Sequence, residues 1–381
     1  MSALVDSPPY LAPLQELMLR DSFHAPQAGY HVEQVEIVFS RGLASERIST
    51  AWEATVAATE ALRTVFDFSG GVPVGLRTVS DFPSLEYLDG RPESWENWCE
   101  SERLKPLLFP GTVPWRVTFF PEARTLVWTF HHALLDGRSI TRVLREFLTC
   151  LRGEQGNTLR RSEWQPPSAA SLALARDLFH HWPEVPTRTD ESLGSDGPVH
   201  RALGADIAAR LDARALELET TAATLVIWAW GQALTAINGT DTVLVEQVRA
   251  GAPQPGTAGF NMNVLPLVIH RAGGSVLDST LQTLRTDLLA LRQIESVSFS
   301  DFAPGVYPDL ELPGTSTIMV EHATLQHQLG ACDLVESVVL IERKADALMA
   351  TAQLLPDLRL EVDGPGSRKL LDRWAAVLCG L

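Results

Sequence analysis

Cysteine is scarce and scattered in this chain. Four cysteines, Cys99, Cys150, Cys332 and Cys379, are spread over 381 residues. No two form a CxxC pair, which excludes a zinc ribbon and a dithiol redox motif, and well-separated thiols suit a reducing compartment. Basic charge is also in short supply: 31 Lys and Arg stand against 47 Asp and Glu, for a net charge of −16. That balance argues against nucleic acid or an anionic membrane surface as a partner. The opening MSALVDSPPY has neither a basic region nor an apolar core, so it does not read as a secretory signal. The most apolar run, Thr224 to Ile237, is too short to span a bilayer and contains Gly231 and Gln232. Several reaction signatures are missing as well. The chain has no GxSxG elbow, no glycine-rich phosphate loop or GxGxxG after a strand, and no HExxH. These absences lead us to expect a cytoplasmic protein with no nucleic-acid or membrane partner and no bound metal.

What remains is ample for a folded protein. The chain is 45% hydrophobic and 20% charged, without a long low-complexity tract, and its length suits two domains or two halves of one. One stretch, Thr125 to Ser139, organises the reading. Up to His131 its residues alternate like a half-buried strand: Leu126, Trp128 and Phe130 share a phase with His132, and Val127 and Thr129 share the other with His131. After Gly137 the period becomes helical, with Ile140, Val143, Leu144, Phe147 and Leu148 on one face and Asp136 or Ser139 as the cap. Two histidines, an aspartate and a glycine therefore sit on a strand-to-helix turn, a common place to present a reactive side chain. A single histidine on an apolar strand is ordinarily a satisfied core residue. Two adjacent ones, followed by Asp and Gly at this spacing, point to chemistry.

Along the chain, a short helix begins at Pro13, a strand spans His31 to Phe39, and a helix spans Ser45 to Leu62 with Ile48, Trp52, Val56 and Leu62 inward. Ser94 opens a helix carrying Trp95 and Trp98, Pro114 to Phe120 is the hairpin partner of Thr125 to His131, and Ala169 to Trp182 closes the first half. Residues 183–200, rich in Pro, Ser, Gly and acid, read as a linker. The second half has a helix from about Arg210 to Ala236, stopped by Asn238-Gly239. Strands follow at Val243 to Val248, Asn261 to His270, Ser316 to Val320, Ser337 to Glu342 and Leu348 to Leu354, with helices around Leu277 to Leu291 and Ser367 to Cys379. Helices and strands mix in both halves without strict alternation, which indicates an α+β fold.

Other polar clusters read as ordinary. Glu321, His322 and His327 lack the i, i+4 spacing of a helical zinc site. His180-His181 reads as a solvated pair at a helix C-terminus. Trp95, Trp98, Trp228 and Trp230 read as core, and the last two, two residues apart, do not share a helix face.

The HHxxxDG pattern of His131, His132, Asp136 and Gly137 resembles the signature of the condensation-domain and chloramphenicol-acetyltransferase superfamily of acyltransferases. Further segments resemble the condensation-domain pattern in order. These are Pro13-Leu14-Gln15 at the opening, Glu60 to Phe66 (like the end of HExLRTxF), Pro114 to Val117, Ala229 to Val248, Gly259 to Leu267 (like GxFxNxLPLR) and, more faintly, Val297 to Asp301 around Phe299. Ala58 and Thr59 stand where the family often has Arg-His, Arg138 replaces the usual aromatic residue, and Val268 replaces a frequent Arg, with Arg271 nearby.

The resemblance implies mixed sheets with flanking helices in two chloramphenicol-acetyltransferase-like lobes, residues 1–182 and 201–381, joined by 183–200. The lobes are expected to form a V-shaped pseudo-dimer with a tunnel between them. It also implies a condensation enzyme of natural-product (nonribosomal peptide or polyketide) biosynthesis, and with a chain shorter than a typical condensation domain and no adenylation or carrier segment in it, a stand-alone, monomeric one is expected. The enzyme would move an acyl or aminoacyl group from a phosphopantetheine thioester on an acyl or peptidyl carrier protein, or from acyl-CoA, to an amine or alcohol, with no bound cofactor required. By the family pattern His132 is the base or positioning group and His131 is structural. Asp136 ties the loop down through an arginine, and Gly137 keeps the channel open and offers its N–H. Arg63 is a supporting residue, and Asn263 contributes from the opposite half. The alternative is a non-catalytic relative that recruits a carrier protein or tailoring enzyme.

Overall fold

The computed structural model describes residues 11–180, 197–252, 254–273, 277–298, 301, 316–342 and 348–381. Residues 183–196 of the expected linker, His181, Trp182 and Phe299 lie outside them. The chain forms two compact units, and they are not the consecutive halves expected. One comprises Met1–Pro166, Ala252–Met262 and Leu325–Ala345; the other comprises Pro167–Gly251, Asn263–Thr324 and Asp346–Leu381. The physical reason is strand pairing. The strand Val335–Ile341 joins the first unit's sheet, and the short strand Thr257–Ala258 pairs in parallel with Arg160–Arg161. The tail of the expected linker, Val199 and His200, is already in a strand, Val199–Leu203.

The first unit begins with α1 (Pro13–His24), β1 (Val32–Phe39), α2 (Ser45–Ala58), β2 (Thr64–Ser69), β3 (Val72–Thr78), β4 (Glu86–Tyr87) and α3 (Trp95–Leu104). It continues through β5 (Trp115–Phe120), β6 (Thr125–His131) and α4 (Gly137–Leu151). Its main sheet runs Val335–Ile341, β1, β6, β5, β4, antiparallel except for the β4–β5 pair. Alternation sends Leu126, Trp128 and Phe130 into one core with Val35, Ile37 and Phe39. Trp52 of α2 anchors that core, with ring centroids 5.6 Å from Trp115, 5.4 Å from Trp128 and 5.6 Å from Phe147 of α4. The expected helix to Leu62 ends at Ala58. Thr59 turns extended and bridges to Leu159, and a short 3-10 turn, Ala61–Arg63, leads into β2.

The second unit holds a six-stranded sheet, ordered Asn263–His270, Thr242–Arg249, Ser316–Ala323, Leu348–Leu355, Leu358–Asp363, Val199–Leu203. The single helix expected from about Arg210 to Ala236 is two, Gly204–Glu217 and Ala222–Asn238. Glu219 takes a left-handed φ of 50°, and Thr221 caps the second helix by accepting from the Thr224 N–H. Asn238-Gly239 stops that helix as expected, with Gly239 at φ 68°. Trp228 and Trp230 are both buried because the helix is apolar all round and enclosed. Among the described residues no helix is long and apolar enough to cross a membrane.

Candidate active site

The HHxxxDG turn is built where a central strand runs out. β6 is paired on both sides and all 7 of its residues are buried. Beyond it, His132 donates its backbone N–H to the His31 carbonyl at 2.7 Å, and the chain makes one 3-10 turn over His132–Leu134. α1 clamps this turn: Gln15 Nε2 donates to the Ala133 carbonyl at 2.7 Å.

Asp136 ends the turn as the N-cap of α4, its Oδ1 accepting from the Ser139 N–H at 2.8 Å. Its Oδ2 accepts from the Asn261 N–H at 3.1 Å, and its own N–H donates to the Gly259 carbonyl at 3.0 Å. Ser139 Oγ completes the seam by accepting from the Gly259 N–H at 2.9 Å. The loop is therefore tied to backbone amides. The arginine expected as the partner of Asp136 is not one of its hydrogen-bond or ion-pair partners among the described residues. Gly137 is the first helical residue, exposed, with open space where a Cβ would stand. Its N–H is among those that open a helix without an intrahelical partner.

The two histidines have opposite environments. His131 is 1% exposed. Its Nδ1 accepts from the Ala133 N–H at 3.1 Å, so Nε2 carries the proton and donates to Ser22 Oγ at 2.9 Å. Burial, and then the neighbouring His31 and His132, hold its pKa well below the ordinary value, so this ring is neutral. The His132 side chain is 16% exposed. Its Nδ1 lies 3.0 Å from the Leu135 carbonyl and 3.1 Å from Glu33 Oε1. Both partners only accept, so Nδ1 carries a proton and Nε2 is the nitrogen with the lone pair in the neutral ring. Among the described residues Nε2 has no hydrogen bond. Burial pulls the His132 pKa down, but the Glu33 charge and hydrogen bond, with Glu342 and Asp136 behind them, more than offset it and raise it to about 9.

Glu33 is the residue that sequence reading missed. It shares its phase on β1 with Val35, Ile37 and Phe39, a core phase where an acid is out of place, and that was the available signal. Arg63 sits on the 3-10 turn before β2, its carbonyl accepting from the Val79 N–H at 2.7 Å and its Nε buried without a partner. Among the described residues it makes no hydrogen bond or ion pair with the histidine turn. Asn263 lies in the second unit, where Nδ2 donates to the carbonyls of Glu295 and Val297 at 3.0 and 2.8 Å, holding that turn. Glu321 and His322 end a strand and His327 sits on a short helix. No cluster of three or more potential metal ligands occurs among the described residues.

The condensation-domain family model matches residues 9–304. The chain belongs to the condensation-domain family. It is 26% identical over 327 residues to a linear gramicidin synthase polypeptide of Brevibacillus parabrevis, covering 76% of this chain and 4% of that one. It is 28% identical over 261 residues to nonribosomal peptide synthetase 5 of Aspergillus fumigatus, covering 58% of this chain and 11% of that synthetase. The chain thus spans only a small part of the length of these relatives. In fold it is similar to the condensation domain of the monacolin K polyketide synthase MokA, at 14% identity and a TM-score of 0.76 over 97% of this chain and 96% of that one. It is also similar to a mutant starter condensation domain of rhizomide synthetase RzmA in complex with C8-CoA and Leu-SNAC. That match has 14% identity and a TM-score of 0.75 over 99% of this chain and 94% of that one.

Proposed function

We propose that this condensation domain transfers an acyl or aminoacyl group from a thioester to an amine or alcohol, forming an amide or ester in natural-product biosynthesis. The donor is a phosphopantetheine thioester on a carrier protein, or acyl-CoA. The observation that carries this reading is His132. Its Nδ1 is occupied, its Nε2 is unpartnered among the described residues, and its ring stands on a rigid turn at the end of a fully paired strand.

Acyl transfer from a thioester asks for a placed acceptor, a destination for its proton and a partner for the developing oxyanion. His132 Nε2 suits the second of these, taking the proton as the acceptor attacks and returning it to the departing sulfur. Gly137 suits the third, because its N–H is among those that open α4 and it carries no side chain to bar approach. Asp136 and His131 support them, the first by capping α4 and the second by bonding the turn to α1. No bound cofactor enters this scheme.

Intact-mass assay of the purified chain with acyl-loaded carrier proteins, acyl-CoA thioesters and a panel of amines and alcohols tests the reading. An acylated acceptor formed only with enzyme present is expected. Stable capture of a carrier protein without acyl transfer from any donor would contradict it and favour a recruitment role.

A further inference from the structure

We propose that Glu33 is a positioning residue for His132: its carboxylate holds the ring through Nδ1–H, leaves Nε2 as the reactive nitrogen, and stabilises the ring when it carries a second proton. For the reaction this rests on the acyl-transfer reading above. For the contact itself it does not.

The starting observation is a carboxylate in the wrong phase of a strand. β1 sends Val35, Ile37 and Phe39 into the core, and Glu33 follows them. Its side chain is 5% exposed, Oε1 lies 3.1 Å from His132 Nδ1, and Oε2 is buried with no hydrogen bond. Among the described residues His132 is its sole hydrogen-bonding or ion-pairing partner. Burying a carboxylate is costly unless it is paired and hydrogen-bonded, and no described lysine or arginine does that here. Among the described residues the imidazole is the group that offsets the charge, and it does so best as an imidazolium.

The Leu135 carbonyl shares the same Nδ1–H and is enough to fix the tautomer. What Glu33 adds is charge. Among the described residues the charged groups acting on the ring are Glu33 from β1, Glu342 just after the strand Val335–Ile341, and Asp136 from the turn; all are acidic, and the adjacent His131 is neutral. Of the three, Glu33 is the one in ion-pair contact with the ring, at 3.1 Å from Nδ1. During transfer the acceptor nitrogen or oxygen bonds to the thioester carbonyl carbon and its proton moves to Nε2. The C–S bond then breaks and that proton passes to the thiolate. Between those events the ring is positive, and Glu33 faces it across Nδ1.

A base held in this way is mostly protonated at neutral pH, so kcat/KM should climb about tenfold per pH unit up to the ring's titration near 9. The test combines an NMR titration of His132, with labelled histidine and a His132→Gln protein for assignment, with the pH profile of kcat/KM. Glu33→Gln keeps an acceptor for Nδ1–H but removes the charge, and Glu33→Asp keeps the charge. In the native chain the ring should titrate near 9. In Glu33→Gln the midpoint should fall, the acid constant rising more than tenfold, with the acid limb of kcat/KM moving alongside it, and Glu33→Asp should restore most of the shift. A native midpoint at or below the ordinary 6.5 overturns the proposal even if no variant folds, and so does an unmoved midpoint in Glu33→Gln. Absence of acyl transfer from any donor by the native chain sinks instead the acyl-transfer reading and leaves the titration result standing, so the two failures are distinguishable.

Discussion

Asp136 and Asn261 lie 125 positions apart in the chain, yet the carboxylate of one accepts the backbone N–H of the other at 3.1 Å. The bond joins the histidine turn to the 252–262 segment, which lies in the same unit. Asp136→Ala should lower stability by about 2–3 kcal/mol, because it removes a helix cap and strands two amides. Asp136→Asn, which keeps a capping oxygen, should cost less. Urea unfolding of the three proteins checks this; an Ala variant as stable as the native chain would mean the tie is dispensable.

The same aspartate shows where sequence and structure part. Its spacing from Gly137 and the helical period beyond it are local signals, so the strand, the turn and the capped helix are all legible in the residues from 125 to 151. Its partner is not, because nothing in the sequence near Asn261 marks that backbone amide as the tie. Non-local strand pairing was hidden for the same reason. Ser337 to Glu342 reads as a strand, but the pairing of the observed strand, Val335–Ile341, with β1, which moves it into the first unit, is decided by tertiary packing. Glu33 was hidden differently: its strand was legible, and its phase on that strand was the clue.

The two histidines should leave opposite marks on stability. His131 is held neutral in the folded state, so below 6.5 the unfolded chain binds a proton that the folded chain resists, and stability falls as pH drops through that window. His132 is held protonated, so between 6.5 and about 9 the folded chain binds the extra proton. That contribution is fully present below 6.5 and is lost as pH rises through about 9. Urea unfolding from about pH 5 to 10 should show both slopes, as their linkage requires. Glu33→Gln should flatten the alkaline one; an unchanged alkaline slope would contradict the pairing.

Gly231 tests the packing of the second unit. A Cβ built there falls 2.3 Å from Ile269 Cγ2 and 2.6 Å from its Cβ, on a strand whose branched side chain has little room to give. Gly231→Ala should therefore destabilise by about 1–3 kcal/mol, although alanine favours a helix interior over glycine by about 1 kcal/mol. Combining it with Ile269→Ala should cost less than the sum of the two single changes. Thermal unfolding of the four proteins measures that coupling, and simple additivity would contradict the close approach.

His132 Nε2, as the proton acceptor in acyl transfer, is the group on which the proposed reaction turns. The most direct measurement is single-turnover acylation of an amine acceptor by the native and His132→Ala proteins, compared after both are shown to be folded. Loss of about a hundredfold to ten-thousandfold in rate is the expected result. Equal rates in the two proteins would contradict it.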